Sequence, residues 1–307
     1  MINKNFKIIS YKSSYFNKLK ISYENSFNKL FISQALYEQR FSYHKTYSSY
    51  LLISNKDKVV GHIGFRIHNS NIGNLCKIAF RFSTFIIPSF RGGGMYLEFM
   101  NYVKNDLKNK FNVMYIYAWP NKINLLSCLK DENYINLNPI ITWQHKLGNE
   151  KTSYEEEKIF KYKTIDFTNF DHIINKKEFG LTVDNLHDYK YLFVNRDNKE
   201  YKVISVEKNK YAILGISNIE NKELISIIVN NELEIKFILN VLNMFHKYKK
   251  SLVQCWCFYK DRNLLRQLIK SNFKEDGPIF YNGVYELTHN RFPVNDYFPH
   301  MYNHDAF

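Results

Sequence analysis

Apolar, strand-forming stretches over 50–53 and 59–68 are separated by the polar turn Asn55-Lys56-Asp57-Lys58, which predicts a β-hairpin. A third strand is predicted over 78–87 and stops at Pro88, since proline cannot donate to a ladder. The period then changes. Tyr96, Phe99, Val103 and Leu107 recur at helical spacing with Met100 beside them, so a helix opens directly after Arg91-Gly92-Gly93-Gly94. A strand over 113–119 is broken by Pro120, and a short helix follows over 121–131. Ahead of these elements lies an amphipathic helical region over 13–45.

The second half repeats this order. One fixed offset carries Asn124-Leu125-Leu126 onto Asn263-Leu264-Leu265, Leu129 onto Leu268, Asn133 onto Asn272, Tyr134 onto Phe273 and Tyr117 onto Trp256. Agreement of the whole strand–helix–turn order points to a duplication. The polar, charged segment 149–160 reads as a linker, giving domains 1–148 and 161–307. At the same offset Arg91-Gly92-Gly93-Gly94 falls on Asn230-Asn231-Glu232-Leu233, and Asn121 falls on Lys260. The second copy keeps the pattern and loses the glycines.

Composition adds bounds. Hydrophobic residues are 45% and aromatics 17% of 307, which is globular composition. No apolar run approaches the roughly 18 residues of a membrane span, and the N-terminus lacks the apolar core of a secretion signal, so the cytoplasm is the expected location. Cys76, Cys128, Cys255 and Cys257 read as reduced core thiols, because Cys255-Trp256-Cys257 has the wrong spacing for a metal or redox pair. The net charge of +14 is scattered along the chain, not gathered in a block. That argues against a nucleic-acid interface and suits small polyanionic ligands, whose local concentration a positive field raises.

The chemistry centres on the three glycines. Between a strand and a helix they allow positive φ, so consecutive N–H groups can converge on one anion at the positive end of the helix. Arg91 adds a cation alongside. The stretch Ser83-Thr84-Phe85-Ile86-Ile87-Pro88-Ser89-Phe90-Arg91-Gly92-Gly93-Gly94-Met95 resembles the strand–loop signature of the GNAT superfamily. Val59-Val60-Gly61 is similar to that family's preceding strand, and Trp119-Pro120-Asn121 with Asn133-Tyr134 to its later element. The resemblance covers about 50–145 and implies an α/β (α+β) fold of two tandem GNAT-like domains, each a mixed, mostly antiparallel sheet flanked by helices. It further implies acyl-CoA as co-substrate and no metal. The backbone of Ile86 and Ile87 would hold the pantetheine arm as an added strand. The amides of Gly92, Gly93, Gly94, Met95 and Tyr96 would hold the pyrophosphate, and Asn121 and Asn124 would contact the pantetheine amides or the ribose side. Tyr96 stands where the motif ends in a small residue, and Asn133 where glycine is usual before the aromatic.

The tandem arrangement and the C-terminal stretch from Asn295 resemble enzymes that acylate an amino group on a nucleotide-linked sugar in surface-polysaccharide pathways. The face Ile78, Phe80, Phe82, Thr84 carries no base, and the family's tyrosine acid falls at Cys128. Thr84 is therefore expected to orient the amine or a water, His62 to accept its proton, and Tyr117 to donate one to the leaving thiolate. A backbone N–H near Ile86 would serve the developing oxyanion. Phe80, Phe82 and Phe85 would line an acyl pocket or the core. Acceptor contacts are expected from Tyr37 and Glu38 and, in the second half, from Tyr189 and Lys190. Two other readings stand beside this one: a tandem aminoacyl-tRNA-dependent transferase, and a protein that binds acyl-CoA without turnover. The sequence sets no oligomeric state.

Overall fold

The computed structural model describes residues 6–43, 46–70, 76–148, 160–164, 181–182, 199–207, 210–219, 222–246, 250–258 and 261–292. They form two compact units. One runs up to Leu137 and takes up the chain again at Asn282; the other spans Asn138–Tyr281. Both dividing lines fall inside strands, not at the expected linker 149–160.

In the first unit, β1 (Phe6–Ser10), β2 (Ser49–Ser54), β3 (Val59–Ser70) and β4 (Cys76–Ile86) pair antiparallel in that order. The hairpin turn closes through the Ser54 N–H to the Lys58 carbonyl, with Asp57 at φ 54°. The helical region expected over 13–45 is two helices, α1 (Phe16–Phe27) and α2 (Gln34–Arg40). Asn28 stops the first in a left-handed conformation (φ 51°), and the Ser33 side chain caps the second by accepting from the Leu36 N–H.

Helix α3 (Met95–Phe111) follows the glycines and lies against the sheet through Phe99, Met100, Val103, Leu107 and Phe111, which pack with Ile63, Phe65, Ala79 and Ile116. Each such burial contributes roughly 1.5–3 kcal/mol. Lys104 lies on the same face and is buried, neutralised by Asp131 at 2.7 Å. Strand β5 (Val113–Ala118) then runs parallel to β4, and α4 (Lys122–Cys128) starts at Asn121, whose side-chain oxygen accepts from the Asn124 N–H at 2.8 Å.

The second unit repeats these steps with β8 (Lys199–Glu207), β9 (Lys210–Ile219), β10 (Lys222–Asn231), α5 (Ile235–His246), β11 (Ser251–Phe258) and α6 (Arg262–Lys270), preceded by β7 (Lys161–Thr164) on the edge beside β8. Again β8, β9 and β10 pair antiparallel, and β11 lies parallel to β10.

The final strands are exchanged. Strand β6 (Tyr134–Lys146) follows α4 in sequence, yet its residues Ile140–Lys146 pair antiparallel with β11 in the second unit. Strand β12 (Lys274–Glu286) follows α6, yet Gly283–Glu286 pair with β5 in the first. Each copy in the sequence thus supplies the last strand of the other copy's unit. All four cysteines are buried free thiols.

Candidate active site

The site begins with a defect in the β3–β4 ladder. His62 stands opposite Phe85 and Gly64 opposite Phe82, so Ser83 and Thr84 together face only Ile63, a β-bulge. Ser83 takes φ 48°, a left-handed value that costs a non-glycine residue about 1–2 kcal/mol. The bulge also breaks the alternation that would put Thr84 on one face with Phe80 and Phe82. Those two phenylalanines are buried core, whereas Thr84 and Phe85 line a cleft.

On the other side of β4, pairing with β5 ends at Phe80 opposite Tyr117, while β4 runs on to Ile86. The strands part there. The gap opens into a cleft of about 300 Å³ bounded by Thr84, Phe85 and Ile86 on the strand, Arg91 and Gly92 in the loop, Tyr96 on α3, Asn121, Asn124 and Ser127 on the later turn and helix, and Phe27 from α1. The Thr84 hydroxyl oxygen is buried with no hydrogen-bond partner. A buried hydroxyl of this kind costs roughly 1–3 kcal/mol unless a ligand supplies the bond.

At the far end of the cleft, Gly92, Gly93 and Gly94 take φ of 103°, 58° and 79°, with open space where a Cβ would stand on each. Gly94 is the N-cap of α3, and no side chain caps the helix. Its first amides therefore face outward at the positive end of the dipole. The Met95 N–H departs from the expectation, turning back to the Gly92 carbonyl at 3.2 Å.

The strand groups expected to grip the pantetheine arm divide. Ile87 donates its N–H to Val60 at 2.9 Å and so belongs to the sheet. Antiparallel pairing then turns the Ile86 N–H to the opposite side, toward the gap, while the Ile86 carbonyl accepts from Arg91 Nε at 2.8 Å. Arg91 is thereby held at the mouth of the cleft. Asn121 and Asn124 both reach the cleft wall, as expected, although the Asn121 carbonyl oxygen is engaged in capping α4. Asn133 does not have the positive φ open to it, whereas its counterpart Asn272 does (58°).

The expected acid–base side chains are placed differently. His62 is fully buried, with Nδ1 2.6 Å from the Ser83 carbonyl and Nε2 2.8 Å from the Tyr37 hydroxyl. A carbonyl only accepts, so Nδ1 carries the proton and Nε2 accepts from Tyr37. Burial holds this imidazole down at about 4. His62 fastens the bulge and has no nitrogen free to take a substrate proton. Tyr117 is likewise buried and donates to Asn282 Oδ1 at 3.1 Å, away from the cleft. Tyr37 is fully buried in ring contact with Tyr11, Phe31 and Phe41 and offers no surface to an acceptor. Glu38 stays partly exposed; hydrogen bonds led by Gln34 lower its carboxyl below the usual value and keep it ionised. Tyr189 and Lys190 lie outside the described residues.

Sequence reasoning missed one cluster. Arg81 is buried beneath the cleft, donating to the hydroxyls of Tyr96 and Tyr285 and to the Cys128 thiol. Arginine inside an apolar strand was the available signal, but Tyr285 comes from the exchanged strand and no local pattern foretells it.

No protein-family model and no curated protein matches the chain. Solved structures do. A GCN5-related N-acetyltransferase from Anabaena variabilis superposes with a TM-score of 0.70 at 12% identity, over 92% of this chain and 73% of that one. One from Kribbella flavida gives 0.66 at 10%, over 92% and 72%. N-myristoyltransferase from Saccharomyces cerevisiae with bound myristoyl-CoA gives 0.61 at 6%, over 93% and 83%. At identities this low the likeness fixes the architecture alone, and it is that of the GCN5-related N-acetyltransferases: a mixed, mostly antiparallel sheet flanked by helices.

Proposed function

We propose that this chain is an acyl-CoA-dependent N-acyltransferase whose first unit binds the acyl-CoA and whose acceptor is the amine of a small, anionic molecule, a nucleotide-linked amino sugar. The observation that carries the reading is a single cleft in which a parted pair of strands leads from an uncapped, glycine-built helix start to a buried hydroxyl without a partner. Each feature fits one portion of the donor. The loop amides and Arg91 suit a diphosphate, the free edge of β4 suits an extended amide arm, and Thr84 lies where that arm would end. Superposition with a protein whose structure holds myristoyl-CoA supports the same donor class.

In this reading the rate comes from placement. An amine beside a sugar hydroxyl titrates roughly near 8, as α-amino groups do, so a useful fraction is neutral at pH 7. Thr84 fixes it against the thioester carbonyl, and the Ile86 N–H receives the developing oxyanion. With His62 engaged in the bulge, the amine's proton leaves through water in the cleft. The charge of +14 favours approach of a polyanion.

One observation favours a second reading, acyl-CoA binding without turnover: among the described residues lining the cleft there is no His, Asp or Glu. A thiol-release screen crossing several acyl-CoAs with several nucleotide-linked amino sugars decides between them. Release with one acceptor class supports the transferase. Tight coenzyme A binding with no release across the panel supports the binder, and no coenzyme A binding at all removes both.

A further inference from the structure

The Arg81 cluster adjoins the cleft through Tyr96. Arg81 is the first residue of β4 past the last β4–β5 pair, so its guanidinium stands where the two strands begin to part. It is 7% exposed, and no carboxylate among the described residues pairs with it; its partners are Tyr96, Tyr285 and Cys128. A buried cation surrounded only by neutral acids is able to balance a negative charge that appears beside it.

Tyr96 is the member of this cluster that also lines the cleft. Its oxygen accepts from Arg81, so its own proton must go elsewhere. Two acceptors are on offer, and both are poor: the Tyr285 hydroxyl at 3.4 Å and the Cys128 sulfur at 4.0 Å. The hydroxyl is thus a donor lacking a good acceptor, at the base of a cleft. Burial raises Tyr96 above the usual phenol value and keeps that proton in place at neutral pH. Tyr96 lines the same cleft as Thr84 and Ile86, where the reading above places the thioester.

We infer that Tyr96 is the catalytic proton donor to the departing thiolate, with Arg81 as the positioning residue that stabilises the phenolate left behind. This rests on the transferase reading given above. The acceptor nitrogen bonds to the thioester carbonyl carbon, the carbon–sulfur bond breaks with its electron pair going to sulfur, and the Tyr96 proton passes to that sulfur. The phenolate regains a proton from water, which has taken the one released by the amine, so the protons balance. The donor hydroxyl comes from the helix after the glycine loop, and the later helix contributes only the Cys128 thiol beside it.

Calorimetry on the full chain with coenzyme A and with desulfo-coenzyme A tests the placement without needing an acceptor. The wild type is expected to favour coenzyme A by about tenfold, the worth of one hydrogen bond next to a charge. Tyr96→Phe is expected to reduce that preference to within about twofold while still binding desulfo-coenzyme A. If Tyr96→Phe does not fold, Arg81→Met is expected to reduce the same ratio. With the acceptor from the thiol-release screen, Tyr96→Phe lowers kcat by about 100-fold and leaves KM for acetyl-CoA unchanged. A wild type that binds both ligands equally, or a preference that survives both substitutions, overturns this inference and leaves the transferase reading standing. A wild type that binds neither ligand sinks the transferase reading itself.

Discussion

The two copies of the strand–loop–helix segment differ in how they fill one space. In the first, β4 ends at Ile86 and the chain crosses residues 87–94, with three left-handed glycines, before α3 begins without a side-chain cap. In the second, β10 runs on to Asn231 and only 232–234 separate it from α5. The shorter connection refines the ungapped correspondence of the glycines with Asn230–Leu233. There Asn230 closes on Leu233 through both its amide groups, Leu233 is buried, and Gln267 accepts from the Ile235 N–H at 3.0 Å. Gln267 is the counterpart of Cys128. Side chains of the protein satisfy the second helix start, whereas no side chain caps the first.

The bulges differ in the same spirit. Both copies have one, at Ser83–Thr84 and at Ile228. His62 holds the first by a polar bond to the Ser83 carbonyl, while Ile228 covers Gly215, where a Cβ would meet Ile228 Cδ1 at 2.7 Å. A polar clamp keeps the Ser83–Thr84 backbone bent beside a cleft; an apolar plug closes the equivalent place.

The largest expected effect separates the two clamps by pH. His62 is held neutral in the folded chain, about 4 against an ordinary 6.5, so the unfolded chain binds more protons between those values. Its contribution is fully present above pH 6.5 and is lost as pH falls toward 4, amounting to about 3 kcal/mol at about 1.4 kcal/mol per unit. His68, depressed to about 3 by burial and by Arg66, steepens the same window. Urea titrations from pH 7 to pH 4 should show stability falling, and His62→Asn should flatten the curve. An unchanged slope in that variant would mean the first bulge is no more polar in its support than the second.

Next comes the helix start. Gly94→Leu imposes on the first copy the kind of residue that fills the second, and should weaken coenzyme A binding by about 100-fold, the loss of about two charge-assisted hydrogen bonds. Calorimetry reads it, and affinity within threefold of wild type would break the comparison. Thr84→Val should then cost about tenfold in thiol release while raising the urea midpoint, since the hydroxyl it removes is buried without a partner in the folded chain. The smallest effect belongs to the sealed copy. Asn230→Ala should cost about 1 kcal/mol of stability, as loss of a capping side chain does, and leave coenzyme A binding unaltered.

Much of the fold was legible locally. The hairpin around 55–58, the helix face of Phe99, Met100, Val103 and Leu107 and the short helix opening at Asn121 all follow from residue types at short spacing, whereas the break at Asn28 inside the expected helical region 13–45 was not read. The glycine loop was legible too, because only glycine holds three consecutive positive φ values without strain. The acid–base residues were not. His62 and Tyr117 have the right chemistry for proton transfer, but availability of a ring nitrogen or a hydroxyl depends on Ser83, Tyr37 and Asn282, at distances along the chain that no periodicity reaches.

By itself, then, the sequence determined the order of elements, the repeat and the difference between its two loops, since each rests on contacts within a few residues. Only the tertiary structure decided which strand closes which unit, that a bulge turns Thr84 into the cleft, and that Arg81, Tyr96, Cys128 and Tyr285 meet. Backbone pairing accepts any strand of suitable register, and β6 and β12 each follow the short helix of their own half. Choosing between them is a matter of long-range packing, and with that choice came the residue, Tyr285, that completes the cluster under the cleft.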